Sequence, residues 1–197
     1  MRILRILDVE SWLDDYDFYR DFKESDYYGL LLETYKNLNT DILFASQIHG
    51  QGHIERVIFY AMVLAWKYDL DRADTDILRY AASLHDTRRE NDGYDTEHGH
   101  RAAIESTKYA YDLSDDDKEI LKGIMAAHSR HDGKMEESLK EFDIKDYDRA
   151  LRLAKLFKDS DGLDRVRLGD LKTKFLRNDF SHQLVDFAQD LFDAYNK

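Results

Sequence analysis

The sequence has no cysteine, no proline and only nine glycines among its 197 residues. Without cysteine, disulfides and thiolate metal sites are excluded, and the chain is not a disulfide-stapled scaffold. No stretch rich in proline, glycine or serine reads as a linker, no internal repeat is visible, and nothing interrupts helical periodicity. Long apolar runs are missing as well. The longest, IFYAMVLAW (Ile58–Trp66), is about half of what a membrane-spanning helix needs. The opening MRILRILDVES holds too short an apolar run for a signal peptide. No membrane association is expected, and the expected location is the cytoplasm. Positive charge is in deficit: 29 Lys and Arg stand against 41 Asp and Glu, a net charge of −12. Such a chain does not draw polyanions at long range, so binding to duplex nucleic acid is not expected. A small anionic substrate needs only a local positive site, and a metal ion can supply that.

What is present is a globular composition, 43% hydrophobic and 36% charged, at a length that fits one domain with a sizeable core. Apolar residues recur at helical spacing. Ile54, Ile58, Ala61, Met62 and Ala65 form one stripe, and Ile77, Tyr80, Ala81, Leu84 and His85 another. Further stripes run through Ile120, Ile124, Ala127 and His128, through Ala150, Ala154, Phe157 and Asp161, and through Phe180, Leu184, Phe187, Ala188, Leu191 and Tyr195. Ser114 with Asp117 three residues on predicts a helix N-cap with a carboxylate in the first turn. The pattern predicts an all-α fold. Residues 1–45, rich in Asp and Tyr, predict one or two helices covering the bundle.

Several of these stripes close on residues that do not belong in an apolar core. His85 and His128 each end a stripe, Asp161 ends another, and His53 begins the one over Ile54–Leu70. A buried carboxylate without a partner is very costly, and a buried imidazole needs hydrogen bonds. Any one of them has a bland explanation: a hydrogen-bonded core histidine, or an Asp161 salt bridge to Lys158 or Arg165. His49, His100, His131 and His182 read as ordinary boundary residues. Four such groups on different helices are more economically satisfied by one shared cation.

The blocks HGQGHIERV (His49–Val57), SLHDTRR (Ser83–Arg89), HGHRAA (His98–Ala103), MAAHSRHD (Met125–Asp132) and LFKDSDGLDRVRLG (Leu156–Gly169) occur in that order. Together they resemble the HD superfamily of metal-dependent phosphohydrolases over roughly residues 49–169. The resemblance implies an all-α HD-domain bundle of about seven to nine helices, with residues 46–197 as the phosphohydrolase domain and 1–45 as a helical extension packed on it. It implies His53, His85, Asp86 and Asp161 as ligands of a first metal, with Asp159 a neighbour of the last. His98 and His128 stand where two-metal members carry two further histidines; His100 and His131 are the alternatives. Asp86 is implied as the bridge between two metals. Imidazole and carboxylate suit Mn, Fe, Co, Ni, Zn or Mg without selecting among them, one or two ions per chain. Water on such an ion loses a proton near neutral pH, and the ion screens a phosphoryl group under attack. Arg88 and Lys158 are the candidate phosphate contacts, ahead of Arg89, Arg165 and Arg167. The implied activity is hydrolysis of a phosphomonoester or phosphodiester of a nucleotide or another small phosphorylated metabolite. Two other readings stay open: a di-iron oxygenase of the same superfamily, and a non-catalytic nucleotide-binding protein. The oligomeric state is not legible.

Overall fold

A computed structural model describes residues 1–197, and it is helical with no strand. Eleven α-helices follow one another: α1 (Arg2–Val9), α2 (Asp17–Lys23), α3 (Asp26–Asn37), α4 (Gln51–Lys67), α5 (Arg72–Leu84), α6 (His98–Ser106), α7 (Asp115–His128), α8 (Met135–Leu139), α9 (Tyr147–Leu163), α10 (Asp179–Gln183) and α11 (Val185–Asn196). The count exceeds the seven to nine expected. Residues 1–45 hold three helices where one or two were expected, the stripe that begins at Phe180 is broken at Leu184 into α10 and α11, and α8 is only five residues long, too short for a periodic pattern to show.

Helix α4 is the axis of the molecule. It is buried on every side from His53 to Ala65, which is what a helix apolar all round must be. Helices α3, α5, α9, α1, α10 and α11 pack around it, α7 packs on α5 and α9, and α6 packs on α7. Three of the longer helices, α5, α7 and α9, start on a side-chain cap. Asp71 accepts from the Asp74 N–H at α5, Ser114 from Asp117 at α7 as expected, and Asp146 from Arg149 at α9.

Residues 1–45, read as an extension, are built into the single hydrophobic core. Ile3, Ile6, Leu7, Leu13, Tyr19, Phe22, Leu31 and Tyr35 all belong to it. Glu55, fully buried on α4, fastens them: its carboxylate accepts from Ile3 N–H at 3.0 Å and from Tyr195 Oη–H at 2.9 Å, and its carbonyl from Tyr35 Oη–H at 2.7 Å. No helix is long and apolar enough to cross a membrane.

Candidate metal centre

Four helices end at one place. His53 lies in the first turn of α4, His98 opens α6, His128 closes α7, and Asp161 lies in the last turn of α9. Helix α5 stops at Leu84, so His85 and Asp86 follow as its C-cap and the next residue. On a continuing helix two successive side chains would diverge by about 100°. At this helix end both reach the same space, and both are buried.

The side chains form two half-sites. In the first, His53 Nε2 lies 3.0 Å from His85 Nε2 and 3.4 Å from Asp161 Oδ1. In the second, His98 Nε2 lies 2.9 Å from His128 Nε2. Asp86 stands between them and turns one oxygen to each: Oδ2 is 3.5 Å from His53 Nε2, and Oδ1 is 2.9 Å from His98 Nε2 and 3.6 Å from His128 Nε2. Two atoms each bonded at ~2 Å to a common ion lie about 3 Å apart, which is the spacing of both histidine pairs. Three groups here lie close enough to hold a metal ion: His53, His85 and Asp161; His85, Asp86 and His128; and His49, His53 and Asp86.

The tautomers make the case chemically specific. His53 Nδ1 donates to Asp164 Oδ2 at 2.8 Å, and His85 Nδ1 faces the Ala81 and Ala82 carbonyls at 3.2 and 3.1 Å. His98 Nδ1 donates to the Asp95 carbonyl and His128 Nδ1 to the Met125 carbonyl, each at 2.5 Å. A carbonyl or carboxylate only accepts, so each Nδ1 carries the proton and each Nε2 of a neutral ring is a bare lone pair. Two pairs of lone pairs then face each other at 3.0 and 2.9 Å, an arrangement that no hydrogen bond between neutral rings can satisfy. Adding the missing protons is opposed. Burial, with the Arg167 charge, pushes His53 down to about 4, and burial with the neighbouring His98 and His85 pushes His128 down to about 4. A divalent cation satisfies all four lone pairs at once. Asp86 meets the same lone pairs, with Oδ1 2.9 Å from His98 Nε2 and 3.6 Å from His128 Nε2, so its buried carboxylate also lacks a donor on that side and also calls for a cation.

The residues behind this shell were read as ordinary from sequence. Asp164 is fully buried. It accepts from His53, from Arg56 Nε at 2.5 Å and Nη2 at 3.0 Å, and from Arg167 Nη1 at 3.3 Å. Burial opposes its charge, and the His53 hydrogen bond and Arg56 hold it ionised. His49 Nδ1 lies 3.2 Å from Asp86 Oδ2. A signal was available. Arg56 sits in a helix that has no polar face, so it required a buried acidic partner, and Asp164 falls one turn after Asp161. Gly99 sets the α6–α7 distance: a Cβ there would come within 2.3 Å of the Met125 carbonyl oxygen and 2.7 Å of His128 Nδ1.

Two cavities open on the centre and share His128, Asp161 and Arg165. One, of about 350 Å³, lies over His49, Asp86 and His98, with Arg89 and Arg167 in its wall. The other, of about 300 Å³, runs past Lys158 and Gly162 to the segment Asp170–Arg177.

Not every expected residue arrives there. Arg88 lines neither cavity: its Nε lies 2.9 Å from Glu105 Oε2 on α6. The turn that ends α5 sends it outward and brings Arg89 inward, where Arg89 Nε donates to Asp86 Oδ2 at 3.1 Å. Lys158 reaches its cavity, but its ammonium is committed. It donates to the carbonyls of Ala127, His128 and Arg130 at 2.9, 3.2 and 2.8 Å, closing the C-terminus of α7; it is a support for His128 and not a free phosphate grip. Asp159 is turned away and accepts from Arg177 and Asn178. His100 pairs with Glu141 at 3.1 Å, and His131 accepts from the Gly133 N–H.

No protein-family model matches the sequence, and neither a curated protein nor a solved structure is found to be similar to it.

Proposed function

We propose that this protein is a metal-dependent phosphohydrolase of the HD type, acting on a phosphate ester of a nucleotide or another small metabolite. The observation that carries the reading is the facing of four Nε2 lone pairs, in two pairs, with Asp86 presenting one oxygen to each. His53, His85, Asp161 and Asp86 would hold one divalent ion, and His98, His128 and the other oxygen of Asp86 a second. An ion bound there supplies a Lewis acid that acidifies water and offsets phosphoryl charge.

The chain's own residues supply the rest. Asp164 and the carbonyls of Ala81, Ala82, Asp95 and Met125 lock the imidazole tautomers, so the donor atoms are aimed before any ion arrives. Arg56 and Arg167 keep Asp164 charged and in place. Arg89, Arg165 and Arg167 stand in the wall of the cavity above Asp86, paired with Asp86, Asp170 and Asp164, and their positive charge favours an anion there. Of the 14 residues around that cavity only two are hydrophobic, which favours a charged substrate over an apolar one.

The test is metal analysis of protein purified without chelator, joined to phosphate release from a panel of phosphorylated metabolites. The expected result is one to two equivalents of a divalent metal and metal-dependent release of phosphate. Absence of phosphate release from every ester in a metal-replete sample would overturn the reading. Iron content with O₂ consumption in its place would establish the oxygenase.

A further inference from the structure

The cavity of about 300 Å³ beside the centre holds an unexplained glycine. Gly162 follows Asp161 directly and lies inside α9. Its φ is not positive, so its backbone does not require glycine. Crowding does not require it either: a Cβ at this position would meet only Leu176 Cδ2, at 3.7 Å, an ordinary contact. Gly162 is the next-to-last residue of α9, and neither backbone conformation nor crowding demands glycine at this helix end. What glycine does here is leave the cavity floor open next to Asp161.

The opposite side of the cavity holds the ring of Phe175, with the Lys174 ammonium 5.0 Å from its centroid. After α9 the chain turns through Thr173–Phe175. In that turn Leu176 is buried at 6% exposure while Phe175 is left at 50%. Phe175 lines the same cavity as Gly162. The rim adds Lys172 and the ion pair of Arg165 with Asp170.

We propose that this cavity is the pocket for the organic part of the substrate, that it takes a planar aromatic or heteroaromatic ring packed on Phe175, and that Gly162 sets its depth. This rests on the phosphohydrolase reading for the placement of the phosphoryl group over Asp86, and it adds the class of group joined to that phosphate. The two cavities meet at His128, Asp161 and Arg165, so a phosphate in one and a ring in the other are the two ends of a single small molecule.

The test uses two phosphonates whose C–P bond resists hydrolysis: phenylphosphonate and methylphosphonate, alike at the anion and different only in the ring. Each is titrated by calorimetry into the full chain, with and without Mn²⁺. The parent is expected to bind the phenyl compound about tenfold more tightly, the scale of ring stacking on an aromatic side chain. In Phe175→Ala and Gly162→Leu the ratio of the two affinities should fall to within about twofold of unity. Gly162→Ala, whose Cβ fits and which guards against misfolding of the leucine variant, should lower the ratio part of the way. Equal binding of the two phosphonates by the parent, binding of neither, or a ratio unmoved by all three substitutions would overturn the pocket. If the ratio behaves as expected while no phosphate ester is ever hydrolysed, the pocket stands and the hydrolase reading falls. If esters are hydrolysed but the ratio is flat, the reverse holds.

Discussion

Asp86 turns its two carboxylate oxygens to two different histidine pairs, with Oδ2 at 3.5 Å from His53 and Oδ1 at 2.9 Å from His98. His128, by contrast, serves one pair. The two residues should therefore lose metal differently. His128→Ala is expected to lower bound metal by about one equivalent per chain with the fold retained, whereas Asp86→Ala should lower both equivalents. Metal counts by elemental analysis decide it; equal losses in the two variants would remove the bridging role of Asp86. Asp164 makes a second case at this scale. Asp164→Asn preserves shape but removes the charge that the buried Arg56 faces, and an uncompensated buried charge costs about 3–5 kcal/mol. It also loosens His53, so metal affinity should fall about 10- to 100-fold. Urea denaturation of the metal-free variant separates the first effect from the second, and a variant with unchanged stability would show that Arg56 is satisfied by other groups.

Helices α6 and α7 cross so closely at Gly99 that a methyl group there would lie 2.3 Å from a backbone oxygen. Backbone cannot move aside cheaply, so Gly99→Ala must push the two helices apart. Overpacking of this kind costs about 1–3 kcal/mol. Because the displaced helices carry His98 and His128, the same substitution should lose the second metal equivalent while His53, His85 and Asp161 keep the first. Paired measurements of melting temperature and metal content test this; a stable variant with full metal content would contradict the geometry. Helix ends explain why the centre is where it is. A helix interior presents one residue per turn to a given point, and only where α5 stops can His85 and Asp86 turn to the same ion.

At the scale of the molecule, the centre gathers ligands from α4, α6, α7, α9 and the end of α5, so an ion held there ties most of the bundle together. A ligand that binds only the folded state adds about 2.7 kcal/mol when present at 100 times its dissociation constant. For a chain of this size that corresponds to a rise in Tm of roughly 5–10 °C. Chelator-treated protein should melt lower by that margin and recover on addition of Mn²⁺; indifference of Tm to metal would argue that no ion is held by the shared ligands. Residues 1–45 belong to the same unit. Eight of them lie in the one hydrophobic core, and removing them uncovers Phe59, which stacks on Phe187 and packs against Phe22. A chain starting at residue 46 is expected to be insoluble or to lack cooperative melting, and a cooperative transition in it would show an autonomous domain.

The all-helical class, the N-caps and the polar residues that end apolar stripes were legible in the sequence, because periodicity and the cost of burying charge act along the chain and need no partner. His53, His85, His128 and Asp161 stood out on that ground alone; His98 and Asp86 needed the order of the blocks. The five-residue helix α8 was not legible, since it is too short for a periodic pattern, and neither was the break at Leu184 that divides the last stripe into α10 and α11. Nor were the roles of Arg88 and Arg89 in the turn after α5, where one residue of rotation decides which guanidinium enters the cavity. Lys158 looked like a substrate contact until the carbonyls at the end of α7 were brought to it from another helix. Asp164 finds its partner in Arg56, 108 residues away in the sequence, only in the folded core. Local composition determined which residues were out of place in a core. Which atoms they would face was decided by the packing of helices distant in sequence, since a hydrogen bond or a metal half-site depends on distances that only the folded chain defines.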